Sequence, residues 1–139
     1  MPKPYQIVCS IVVFELQDPA ANPISIRVKL RYDTRDPFAV TAVFPGFGAY
    51  ELEWIFAREL MAAGLICDAG LGDIRFRRSL TDLDSMVVEL DSPDGHAEFA
   101  VAVEELTDFL NRTYGAVPPG AECRWLDIDC ALASLLPSE

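Results

Sequence analysis

Histidine occurs once in this chain, at position 96, and that scarcity removes most familiar catalytic and metal-binding arrangements. A Ser-His-Asp or Cys-His constellation would have to use His96, yet no serine or cysteine sits in a nucleophile-elbow sequence. Cys9, Cys67, Cys123 and Cys130 include no Cys-x-x-Cys pair, so zinc spacing is absent and free thiols in a reducing compartment are expected. No glycine-rich phosphate loop is present, because Gly46-Phe47-Gly48 lacks the rest of the pattern and the helix start. Long apolar runs are missing as well. The longest, Ile7 to Phe14, is broken by Ser10 and is far too short to cross a bilayer. The N-terminus carries no positive region ahead of a long apolar core, so no secretory signal is expected. Cations are few: 11 Lys and Arg stand against 22 Asp and Glu, a formal net charge of -11. Such a surface disfavours phosphate backbones and anionic membranes.

What remains is a chain with 51% hydrophobic and 24% charged residues over 139 positions. That suits one domain, residues 1–139, with a core that needs no disulfide or metal staple. Its organising stretch is 28–65. Ile24, Ile26, Val28, Leu30 and Tyr32 alternate with Ser25, Arg27, Lys29, Arg31 and Asp33, the period-two mark of a strand with one dry face. Asp33-Thr34-Arg35-Asp36-Pro37 supplies a turn, and Phe38, Val40, Ala42 and Phe44 resume the alternation as an antiparallel partner. Tyr50, Leu52, Trp54 and Phe56 begin another strand, which passes into a short helix from Ala57, ended by Gly64 as a left-handed residue. These aromatics are read as core.

Residues 5–16 are apolar on both faces, as in a strand that is central or covers a partner chain's edge. Gly70-Leu71-Gly72-Asp73 is read as a turn, and Ile74 and Phe76 alternate with Arg75 and Arg77 in a strand with a cationic outer face. Met86, Val88 and Leu90 pair with Ala97, Phe99, Val101 and Val103 across a Ser92-Pro93-Asp94-Gly95 turn. A helix follows, with Glu104 and Glu105 in its first turn, Arg112 in its last, and a stripe of Val103, Leu106, Phe109, Leu110 and Tyr114. Residues 125–136 are a short amphipathic helix candidate. No internal repeat is evident. Asp127 and Asp129 lack an EF-hand loop, and the carboxylates elsewhere fall on turns, strand exteriors and helix starts. These residues point to a protein that binds rather than catalyses.

Leu30-Arg31-Tyr32-Asp33, Asp36-Pro37-Phe38-Ala39-Val40, Trp54-Ile55-Phe56-Ala57-Arg58-Glu59-Leu60 and Ala63-Gly64-Leu65 come in fixed order. Gly72-Asp73-Ile74-Arg75, Ser92-Pro93-Asp94-Gly95, Phe109-Leu110-Asn111-Arg112-Thr113-Tyr114 and Val117-Pro118-Pro119-Gly120 continue it. Together, over roughly residues 24–136, they resemble the SsgA-like family of sporulation-specific cell division proteins. Phe76-Arg77-Arg78 departs from the family pattern, which has an aromatic and a proline there. The resemblance implies an α+β fold, mostly antiparallel sheet with two or three short helices, whirly-like and assembled as a homotrimer. It also implies a non-enzymatic cytoplasmic protein at the division septum. Such a protein recruits the tubulin-like GTPase FtsZ and works with other SsgA-like proteins, without cofactor, metal, nucleic acid or direct membrane insertion. Candidate partner or subunit contacts are Phe47 and Tyr50 in an exposed loop, Arg75 and Arg77 on the cationic strand, and Trp125 and Leu132 in the tail. The alternative is a whirly-like single-strand nucleic-acid binder, whose groove would need Arg27, Lys29 and Arg31 together with Arg75 and Arg77. An enzyme with a cavity inside the sheet is a third class.

Overall fold

The computed structural model describes residues 4–46, 51–93 and 95–125. Four strands lead into a helix: β1 (Ile7–Leu16), β2 (Ile24–Asp33), β3 (Ala39–Phe44), β4 (Leu52–Ala57) and α1 (Arg58–Gly64). Four more lead into a second: β5 (Ala69–Leu71), β6 (Ile74–Arg78), β7 (Ser85–Ser92), β8 (Gly95–Ala102) and α2 (Val103–Ala116). A 3₁₀ turn, Glu122–Trp125, ends the described chain. The fold thus repeats an arrangement that the sequence does not, because only the alternation of polarity recurs and not the residues that carry it.

All eight strands join one antiparallel sheet in the order β4-β3-β2-β1-β8-β7-β6-β5. β1 is therefore central, one of the two placements its apolar faces allowed. The predicted β2 and the β7–β8 hairpin are present, with Ser92 opposite Gly95. The sheet is curled. Phe56 of β4 and Phe76 of β6 lie 5.1 Å apart between ring centroids, although five strands separate β4 from β6 in the sheet order. In a flat sheet they would stand roughly 29 Å apart at ~4.8 Å per strand. Phe44 of β3 likewise meets Phe99 of β8 at 5.5 Å, and both touch Phe14.

Inside the curl, Val12, Phe14, Val28, Leu30, Tyr32, Val40, Phe76, Met86, Val88 and Val101 form one buried cluster with Met61 of α1 and Leu106, Phe109 and Leu110 of α2. Both helices therefore plug the concave side. Trp54 and Leu60 are partly buried against the same cluster, as their assignment to the core requires.

Several local expectations are corrected. Gly64 is not a left-handed terminator; positive φ occurs only at Gly72, Gly95 and Gly120 among the described glycines. It is the last helical residue of α1, and the position takes glycine because a Cβ there would strike the Cβ of Phe76. Residues 69–71 form a strand, and only Gly72 (φ 66°) and Asp73 turn. Gly70 fits that strand because a Cβ would come within 2.5 Å of Arg75 Cγ. Phe38 precedes β3 and is exposed rather than inward. Val103 opens α2 instead of closing β8, its amide donating to Asp84 O at 2.8 Å. Arg112 lies before the last turn of α2 and donates to Ser10 Oγ.

Candidate interaction surface

The concave side is filled, so chemistry inside the sheet has nowhere to occur. The apolar void among Phe14, Ala42, Phe44, Trp54, Phe56 and Met61 amounts to about 10 Å³. That is at most the room of a single water. The enzyme-in-a-cavity reading therefore has no support among the described residues.

Both described helices lie on the concave side, and no described helix covers the convex side of the sheet. Alternation sends Val8, Val12 and Phe14 of β1 inward and Ile7, Cys9, Ile11 and Val13 outward. Ile7, Ile11 and Val13 remain 48%, 51% and 41% exposed on the central strand, an unusual position for three branched apolar residues. Beside them run the cations of β2. Cys9 faces Arg31, Ile11 faces Lys29 and Val13 faces Arg27 across the ladder. Arg31 reaches Glu53 of β4 at 3.9 Å, while Arg27 and Lys29 make no ion pair with any described residue. The result is an apolar stripe and a cationic stripe side by side.

The second cationic strand is elsewhere. Arg75 and Arg77 are on the outer face of β6, with β1, β8 and β7 between them and β2. Four ladder steps of ~4.8 Å separate the two groups by roughly 19 Å. The intervening face carries Asp91 and Glu89 on β7 and His96 and Glu98 on β8. Arg77 is already engaged there, its Nε 2.8 Å from Glu89 Oε1 and its Nη2 3.9 Å from Glu98 Oε2. The groove that a single-strand nucleic-acid binder would need is therefore broken by an apolar strip and an acidic one.

His96 is exposed on β8, with Nδ1 2.5 Å from Asp91 Oδ1 and Nε2 3.3 Å from Glu98 Oε1. The two carboxylates, Asp91 first, raise its pKa above the ordinary histidine value. Ligand atoms of Glu89, His96 and Glu98 lie within 4.8 Å of one another, but the Arg77 guanidinium supplies the positive charge at this cluster.

Sequence reasoning missed one feature altogether. Arg58, at the start of α1, is buried at 3% exposure. Its Nη1 donates to Val117 O at 2.7 Å and Thr113 O at 3.3 Å, and its Nη2 lies 3.5 Å from Glu122 Oε1. Its guanidinium stacks 4.9 Å from the ring centroids of both Tyr32 and Tyr114. Tyr32 in turn donates to Pro37 O at 2.8 Å, and burial pushes its pKa up to about 12. The Arg31-Tyr32, Pro37, Ala57-Arg58, Thr113-Tyr114 and Val117 segments of the sequence pattern thus converge on one guanidinium. The readable signal was an arginine at a helix position facing inward.

Phe47, Tyr50 and Leu132 lie outside the described residues, and Trp125 closes the 3₁₀ turn. No described helix is long and apolar enough to cross a membrane.

Known proteins give this surface a context. Residues 26–122 match the family described as Streptomyces sporulation and cell division protein, SsgA. The chain is 48% identical to sporulation-specific cell division protein SsgB of Saccharopolyspora erythraea, over 94% of this chain and 92% of that protein. It is 44% identical to SsgB of Streptomyces coelicolor, over 83% and 85% respectively. The crystal structure of an SsgA-like sporulation-specific cell division protein from Thermobifida fusca superposes with a TM-score of 0.84 at 36% identity, covering 98% of this chain and all of that one. A structure of SsgB, described for mutations that correlate with longitudinal cell division during sporulation of Streptomyces coelicolor, superposes at 0.80 with 36% identity, covering 87% of this chain and 96% of that one. Family match, relatives and fold agree: this chain belongs to the SsgA family of sporulation and cell division proteins.

Proposed function

We propose that this chain is a non-enzymatic recruiter that positions the sporulation septum by bringing FtsZ to the division site. It acts in the cytoplasm as one domain, in a whirly-like homotrimer, with other SsgA-like proteins as further partners. The observation that carries the reading is the bare convex face, where Ile7, Ile11 and Val13 stand exposed on the central strand of a filled sheet. A face of that kind serves contact and not chemistry. In a trimer it would be offered three times, and a polymer offers many sites in return, so avidity would compensate for a modest single contact.

Co-sedimentation with purified FtsZ and GTP tests the reading, alongside sedimentation equilibrium for the trimer. The protein is expected to pellet with the polymers and to ignore labelled single-stranded DNA at physiological salt. Absence from the pellet, with salt-sensitive DNA binding, would overturn it.

A further inference from the structure

We infer that the β1–β2 convex face is a docking trough for an amphipathic helix of a partner protein, apolar along its spine and acidic along one flank. The inference rests on the recruiter reading for the partner's identity, but not for its chemistry. Ile7, Ile11 and Val13 define an apolar line, and six residues of strand at ~3.4 Å make it about 20 Å long, the length of a helix of roughly 14 residues. A helix satisfies its own backbone and needs only an apolar face to cover, which is how helices pack on sheets.

The flank is set by charge. Arg27, Lys29 and Arg31 stand one strand away from the line, on one side of it only. On the other side β8 pairs with β1 only from Phe14 to Leu16, so no strand residue stands beside Ile7 or Ile11 there, and Ala100 lies opposite Glu15 at the far end of the line. Two of the three cations have no described partner, on a chain whose net charge is -11. A local positive stripe on so acidic a chain selects an anionic partner.

The same reasoning favours a helix over the two other anionic surfaces. A lipid bilayer is flat and wide, and would also press on Glu53, Asp91 and Glu98 of the same convex face. A nucleic-acid strand would meet the apolar line where it needs cations, and Arg77 of the second cationic strand is engaged with Glu89 and Glu98. A second copy of the face, laid with β2 over β2, would set cation on cation.

Two arms test the inference. In the first, a labelled ~14-residue peptide with leucines at i, i+3, i+4 and i+7 and glutamates along one flank is titrated into the full-length protein. Binding is expected to weaken with salt and to fall roughly tenfold or more with Arg27→Glu/Lys29→Glu/Arg31→Glu. Ile11→Ser is expected to cost about fivefold with unchanged salt dependence. The neutral triple change to Gln guards against misfolding and should give an intermediate loss. In the second arm, wild type and the charge-reversed variant are pelleted with FtsZ. If wild type pellets and the folded variant pellets equally, the docking site is wrong and the recruiter reading survives. If neither pellets, that reading fails, while the peptide arm still decides the site. Equal affinity for a lysine-flanked peptide, or preference for anionic vesicles over the peptide, would overturn the inference.

Discussion

Replacing Arg58 with alanine should be among the most damaging single changes to this fold. The substitution removes a side chain that is 4% exposed, together with its hydrogen bonds to Val117 O and Thr113 O and its ion pair with Glu122. It also leaves Tyr32 and Tyr114 facing a space that the guanidinium filled. Charged hydrogen bonds contribute about 1.5–3 kcal/mol each, and loss of one member of a buried pair costs about 3–5 kcal/mol. These contributions overlap and do not add, and Glu122 retains some solvent access and the Gly120 amide at 2.5 Å, so the cost stays near that of the broken pair alone. A loss of about 3–5 kcal/mol is expected, or a fall in Tm on the order of 10–20 °C for a chain of this length. Urea denaturation followed by far-UV circular dichroism measures it. Arg58→Lys should recover only part, since an ammonium reaches one carbonyl but neither forks nor stacks. Arg58→Met separates packing from charge, because a hydrophobic residue of similar volume can equal a buried ion. A loss below about 1 kcal/mol for alanine, or wild-type stability for methionine, would refute the view that the guanidinium clamps α1 to the end of α2.

Gly64→Ala should lower stability by about 1–3 kcal/mol in the same assay, because the new Cβ meets Phe76; stabilisation through better helix propensity would show that the contact yields. Tyr32 has its pKa raised by burial to about 12, so the unfolded chain ionises first. Stability from this group is complete below pH 10 and drains away as pH rises toward 12. Absorbance titration at high pH should show one late tyrosine, absent in Tyr32→Phe. His96 is the only histidine, so its proton NMR titration can be assigned directly. Its midpoint should lie above the ordinary histidine value and fall with Asp91→Asn. Because its folded pKa is raised, its stabilising effect is full below the unfolded pKa and is lost as pH climbs through the folded one.

The sequence alone determined every long strand and both α-helices among the described residues. Period-two alternation is a local property, and an outward Arg27, Lys29 and Arg31 against an inward Val28, Leu30 and Tyr32 can be read without knowing what lies above or below. The ordered motifs likewise carried the family. Short elements were not legible: a strand of three residues, Ala69–Leu71, offers too few alternations, and a glycine kept for close packing at a helix's last position looks the same as a left-handed terminator until Phe76 is seen beside it. The candidate surface was half visible. Apolar residues on both faces of β1 announced that each face would need a cover, yet which face the helices take depends on the curl that brings Phe56 to Phe76. Pairing is non-local as well, so only the register set the β1 apolar line beside the β2 cations and kept Arg75 and Arg77 three strands away. Arg58 makes the same point inside the core. Its partners lie 55 and 59 residues along the chain, and a charge is recognised as buried only when tertiary packing has closed over it.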